Sequence, residues 1–134
     1  MTDDAAIDLV RALYQAFEEG DHEAIRRCLA EHLDWRQAGT AVPAAGQRTT
    51  GAEEFLGRVI VPLERDWDGF TEEVEDVFAV GARVVATGTY RGTYLASGRS
   101  VEAEFCHLWW VEDGEIRGFR QFTDTAAFAA ATKR

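Results

Sequence analysis

Apolar residues recur at three- and four-residue spacing near the start of the chain, at Ile7, Val10, Leu13, Tyr14 and Phe17. That stripe is what one face of a 3.6-residue helix requires. The spacing predicts a helix over residues 3–19, capped by Thr2, with Asp3 and Asp4 at the positive end of its dipole and Gly20 ending it. Asp21 opens a second, short helix whose buried stripe is Ala24, Ile25, Cys28 and Leu29. Residues 33–38 read as a short strand. Residues 39–50, with Pro43 and Gly46, read as a loop long enough to be a lid. Thr50 then caps a third helix with Phe55, Leu56, Val59, Ile60 and Leu63 on its apolar side. Pro62 is expected to kink or shorten that helix near its end.

From Phe70 onward the period changes to two. Strands are predicted at 70–80, 83–95, 100–111 and 115–123, with turns at Gly81, Ser97-Gly98 and Asp113-Gly114. Asp124 caps a last, alanine-rich helix at 125–131. The third of these strands puts Val101, Ala103, Phe105, His107, Trp109 and Val111 on one face. Glu102, Glu104, Cys106, Leu108 and Trp110 share the other, a face only half solvent-like that predicts a covered patch and hence a homodimer. The order of elements predicts one α+β domain over residues 1–134, a curved sheet folded over three helices.

The length of 134 residues suits one domain, and 46% apolar with 11% aromatic residues is enough for a core, which excludes wholesale disorder. A formal charge of −10 repels phosphate backbones and anionic lipid, so no nucleic acid and no membrane partner is expected. No apolar run approaches the roughly 20 residues of a membrane span, and the acidic start, Met1 to Asp4, reads as cytoplasmic. Cys28 and Cys106 fit no metal-ligand spacing and read as two free buried thiols. No metal and no cofactor is expected.

Several local sequences carry a family resemblance. They are Leu13-Tyr14-Gln15-Ala16-Phe17 followed by Gly20-Asp21, the Trp35 strand, Thr50-Gly51-Ala52-Glu53, and Val80-Gly81-Ala82-Arg83-Val84. Further on come Ser97-Gly98-Arg99, Trp110-Val111-Glu112-Asp113-Gly114-Glu115-Ile116 and Phe119-Arg120-Gln121-Phe122-Thr123-Asp124-Thr125. Together they resemble the nuclear transport factor 2-like (cystatin-like) superfamily, in its SnoaL-like and ketosteroid-isomerase-like branches. The resemblance implies a cone-shaped, curved mixed or antiparallel sheet around three helices, an apolar cavity between them, and a dimer through the outer sheet face. It also implies where known chemistries would sit. The base of ketosteroid isomerases falls on Gln37, their protonated aspartic acid on His107, and their tyrosine at Leu13 or beside it at Tyr14. The arginine and aspartates of limonene-epoxide hydrolases fall on Gly88, Tyr90 and Gln121, and their water-positioning pair on Trp35 and Gln37. The carboxylates of both mechanisms are absent.

What remains is a polar set of His107, Tyr14, Gln37, Tyr90 and Gln121 among Phe17, Trp35, Phe55, Phe105, Trp109 and Phe119, a default small-molecule site. His107 is the candidate proton-transfer residue, and the others would hold a small hydrophobic, carbonyl-bearing ligand. Isomerisation, cyclisation, dehydration and hydration are the reaction types in view. A non-catalytic ligand carrier and a dimeric interaction module stay open beside them, as does a His107 that is only a core residue satisfied by Gln37 or Gln121. Arg120 is expected to pair with a neighbouring glutamate. The acidic run Glu72-Glu73, Glu75-Asp76 reads as a solvated strand face.

Overall fold

The computed structural model describes residues 2–36, 38, 48–49 and 51–133. Helix α1 (Asp3–Glu19) begins where the Thr2 hydroxyl accepts from the Ala5 N–H, and ends at Gly20, whose left-handed φ of 66° lets the chain turn back. Asp21 caps α2 (His22–Cys28) through the Ala24 N–H. Strand β1 (Leu29–Arg36) follows with no connector, so the strand expected at 33–38 starts earlier. The short helix has no further apolar turn to bury, and Leu29 continues its apolar face directly into the sheet. The predicted loop at 39–50 and the Thr50 cap lie outside the described residues, apart from the two-residue strand β2 (Arg48–Thr49).

The third helix does not end at Pro62, which stands in the first turn of its last segment. It runs as α3 (Ala52–Phe55), a π-helical stretch (Leu56–Ile60) and α4 (Val61–Asp66). Proline lacks an N–H and crowds the carbonyl four residues before it. The strain is absorbed by widening the turn ahead of it, where the Val61 N–H reaches back five residues to the Leu56 carbonyl. Strands β3 (Trp67–Val80), β4 (Arg83–Tyr94), β5 (Ser100–Glu112) and β6 (Glu115–Thr123) form the antiparallel part, and α5 (Thr125–Thr132) closes the chain. The sheet order is β2-β1-β6-β5-β4-β3, with β1 parallel to β6. The result is a mixed, curved, unclosed sheet, the expected fold class.

On β5 the alternation is complete, with Val101, Ala103, Phe105, His107, Trp109 and Val111 all buried. Two apolar clusters fill the inner side. One joins α1, α2, β1 and the third helix to Trp109 and Phe119, and the other gathers Trp67, Tyr90, Phe105 and Phe128 under α5. Among the described residues, the polar ones buried as whole residues are Thr89, His107 and Gln121, while Glu72 is half-buried. Gly88 sits where β3 bulges between Val74 and Asp76. A Cβ there would lie 2.0 Å from the Glu73 carbonyl oxygen, so this backbone has no room for the arginine that the epoxide-hydrolase alignment puts at 88.

Candidate active site

His107 stands at the centre of the inner face, 1% exposed. Phe105 stacks on its ring at 4.1 Å between centroids, while Trp109 and Phe119 close it edge-on. Burial in this aromatic box disfavours the imidazolium and holds His107 well below its ordinary value, so the ring is neutral at neutral pH. Its partners are two tyrosines. Tyr14, reaching down from α1, meets Nδ1 at 2.6 Å, and Tyr90, from the neighbouring strand β4, meets Nε2. Gln121 therefore does not satisfy His107, although the two are paired across β5 and β6. It donates to the Tyr90 hydroxyl at 2.8 Å and accepts from the Ala38 N–H at 3.0 Å. The Trp109 indole N–H donates to the Tyr14 hydroxyl at 3.0 Å. Leu13, the position next to Tyr14, is fully buried in the core instead.

The structure brings His107, Tyr14, Tyr90, Gln121, Trp35, Phe17, Phe55, Phe105, Trp109 and Phe119 into one neighbourhood. Gln37 lies outside the described residues. All of these but Tyr14 and Phe105 line one small cavity, together with Val59, Ile60, Leu63, Phe70, Phe128 and Glu72. Its volume is about 20 Å³, room for a single water. Against it lies a groove of about 890 Å³ between α1, α4 and β3, lined by Arg11, Tyr14, Glu18, Trp67, Glu73 and others. Phe17, Ile60, Leu63, Phe70 and Glu72 border both spaces.

Glu72 overturns the reading of the acidic run as a solvated face. Glu73, Glu75 and Asp76 are exposed, but Glu72 is turned inward between Phe70 and Val74. Its Oε2 is buried and has no hydrogen-bond partner among the described residues. Burial raises its carboxyl to about 8. Tyr14 and Tyr90 are both raised, first by burial and next by the Glu72 charge, which places the carboxylate within electrostatic reach of both hydroxyls. The signal was present in the sequence. Period two from Phe70 through Val74 puts residue 72 on the apolar face, and only its acidic neighbours argued otherwise. The Trp35 Nε1 is a second buried polar atom without a partner among the described residues.

Other expectations resolve on the outer side. Arg120 lies over the Phe122 ring at 5.0 Å, and it makes no ion pair with a glutamate among the described residues. Cys28 is buried, Cys106 is only half-buried, and both are free thiols. Among the described residues no helix is long and apolar enough to cross a membrane, and no group of His, Cys, Asp and Glu is arranged to hold a metal.

A curved, unclosed mixed sheet backed by helices, with polar groups buried on its inner face, defines the class of fold. The SnoaL-like domain family matches residues 10–119, and the chain belongs to that family. A nuclear transport factor 2-like protein of Burkholderia thailandensis is 31% identical, with 100% of each chain covered and a TM-score of 0.90. IdmH of Streptomyces antibioticus, a candidate polyketide cyclase, is 26% identical over 94% of this chain and 96% of its own, with a TM-score of 0.79. TerC, solved with polyporic acid, shares the fold at 23% identity, 95% and 97% coverage and a TM-score of 0.84. No curated protein matches the chain by sequence.

Proposed function

We propose that this protein is a cofactor-independent acid/base enzyme acting on a small, flat, largely apolar molecule that carries a carbonyl group. The observation that carries the reading is the Glu72 carboxyl at the junction of groove and cavity, whose Oε2 is buried with no hydrogen-bond partner among the described residues. A carboxyl raised to about 8 is a competent general base and, once protonated, a competent acid. The role of substrate base considered for His107 passes to Glu72, because both imidazole nitrogens are engaged with tyrosines.

In the step proposed, the Glu72 carboxylate takes a proton from the carbon beside the carbonyl. The C–H electron pair becomes the enolate double bond, and the carbonyl π pair moves to oxygen. A tyrosine O–H donates to that oxygen, and the apolar walls keep the interaction strong. Returning the proton to another carbon isomerises the substrate. Attack of the enolate carbon on a second carbonyl within the molecule, with the proton delivered to the new alkoxide, cyclises it. The family relation to a candidate polyketide cyclase supports this chemistry.

The same reading includes a homodimer through the outer sheet face, supported by the exposure of Phe78 and Phe122 beside Leu108 and Trp110. Incubating the protein with 2-tetralone in deuterated water and following loss of the α-proton signal tests the enzymatic half. Wild type is expected to accelerate exchange, and Glu72→Gln to lose the acceleration. Equal exchange in the two proteins removes the proposal.

A further inference from the structure

The chain of hydrogen bonds from Trp109 to Gln121 contains two donors whose direction is fixed. The Trp109 indole N–H can only donate, and it points at the Tyr14 oxygen. The Ala38 N–H holds the Gln121 Oε1 and so turns Nε2 toward the Tyr90 oxygen. Each tyrosine oxygen thus already accepts one bond and has a single proton of its own to give. Between them, His107 presents Nδ1 to Tyr14 and Nε2 to Tyr90. A neutral imidazole has one N–H and one lone pair, so it donates to one tyrosine and accepts from the other. With the proton on Nδ1, Tyr90 donates to Nε2 and the Tyr14 proton is unused. With the proton on Nε2, Tyr14 donates to Nδ1 and the Tyr90 proton is unused.

We propose that His107 is a tautomer switch in a proton relay between cavity and groove, releasing one tyrosine proton at a time. Tyr90 borders the cavity and Tyr14 the groove. Starting from the Nδ1–H form, Tyr14 gives its free proton to water in the groove and receives the Nδ1 proton. The Tyr90 proton moves to Nε2, and Tyr90 takes a replacement from protonated Glu72 or from water in the cavity. Every tyrosine oxygen ends with one proton, the ring stays neutral, and its tautomer has inverted. One proton has crossed from cavity to groove, and the Nε2–H form carries one back. The Nε2–H form is also the one that offers Tyr90 to an acceptor oxygen in the cavity. Trp109 and Gln121 act as positioning residues. This use of the relay rests on the function proposed above, whereas the tautomer balance exists without any ligand.

The test is nitrogen-15 NMR of the His107 ring in the full, ligand-free chain at neutral pH. Wild type is expected to show one protonated and one bare ring nitrogen. Tyr14→Phe frees the Trp109 N–H on the Nδ1 side, so Nδ1 becomes the acceptor and the Nε2–H form dominates. Tyr90→Phe frees the Gln121 amide on the Nε2 side, so the Nδ1–H form dominates. The same tautomer in both variants, or a doubly protonated ring in wild type, overturns the relay. If one variant does not fold, the wild-type ring and the surviving variant decide alone. The wrong tautomer in that variant is sufficient to overturn it. Opposite tautomers without ketone exchange would sink the enzymatic reading and leave the relay standing, and the reverse result would do the opposite.

Discussion

Glu72 and Glu73 are neighbours on one strand, yet they belong to different chemical worlds. The outer one reaches Arg91, which also touches Glu102 at 3.2 Å, and all three side chains are well exposed. Water and salt screen such pairs until they contribute little. The inner one has a buried oxygen without a partner among the described residues and shares its surroundings with a neutral histidine and two tyrosines raised by burial. A single step of the pleat converts a solvated charge into a poised acid. The inner face therefore concentrates consequences that the more heavily charged outer face does not have.

The largest effects are expected from removing the walls of the inner face. Trp109→Ala deletes a fully buried ring and the donor to Tyr14, and is expected to cost about 3–5 kcal/mol in urea unfolding. Gly88→Ala forces a methyl onto the Glu73 carbonyl, and little folded protein is expected by circular dichroism. Next comes Glu72→Gln, whose effect depends on pH. The folded carboxyl titrates at about 8 against an ordinary 4.5, so the folded state holds a proton that the unfolded state releases between those values. Stability conferred below pH 4.5 is thus lost progressively as the pH rises through about 8. Glu72→Gln escapes that loss, so its advantage over wild type should widen up to about pH 8 and then stay constant. An advantage that does not vary with pH would contradict the contrast.

Tyr90→Phe removes the hydroxyl that links the Gln121 amide to His107 Nε2, and is expected to cost about 1–3 kcal/mol by the same unfolding measurement. The smallest effect belongs outside. Arg91→Ala should leave the unfolding midpoint unchanged within error, and a clear loss there would show that the outer ion pairs matter more than their exposure implies.

The fold was largely legible because its signals are periodic. The α1 stripe, the switch to period two at Phe70 and the Asp113-Gly114 turn mark elements found at Asp3–Glu19, Trp67–Val80 and the junction of Ser100–Glu112 with Glu115–Thr123. The site was legible as a neighbourhood, since His107 and the aromatics beside it share one face of one strand. Its wiring was not. That Tyr14 meets Nδ1 depends on how α1 crosses the sheet, 93 residues away in sequence. Glu72 was hidden by its company: three exposed acids surround it, and composition outvoted phase. The π-helical turn before Pro62 was equally out of reach, because it records how neighbouring packing takes up a local strain.

The central claim is that residue 72 carries an acid buried at the mouth of the cavity. Carbon-13 NMR of the glutamate side-chain carboxyls, with Glu72→Gln to assign the signal, measures it directly. A midpoint near 8 is expected for Glu72. A Glu72 that titrates near the ordinary 4.5 would mean a solvated carboxylate and would remove the basis for acid/base chemistry at this site.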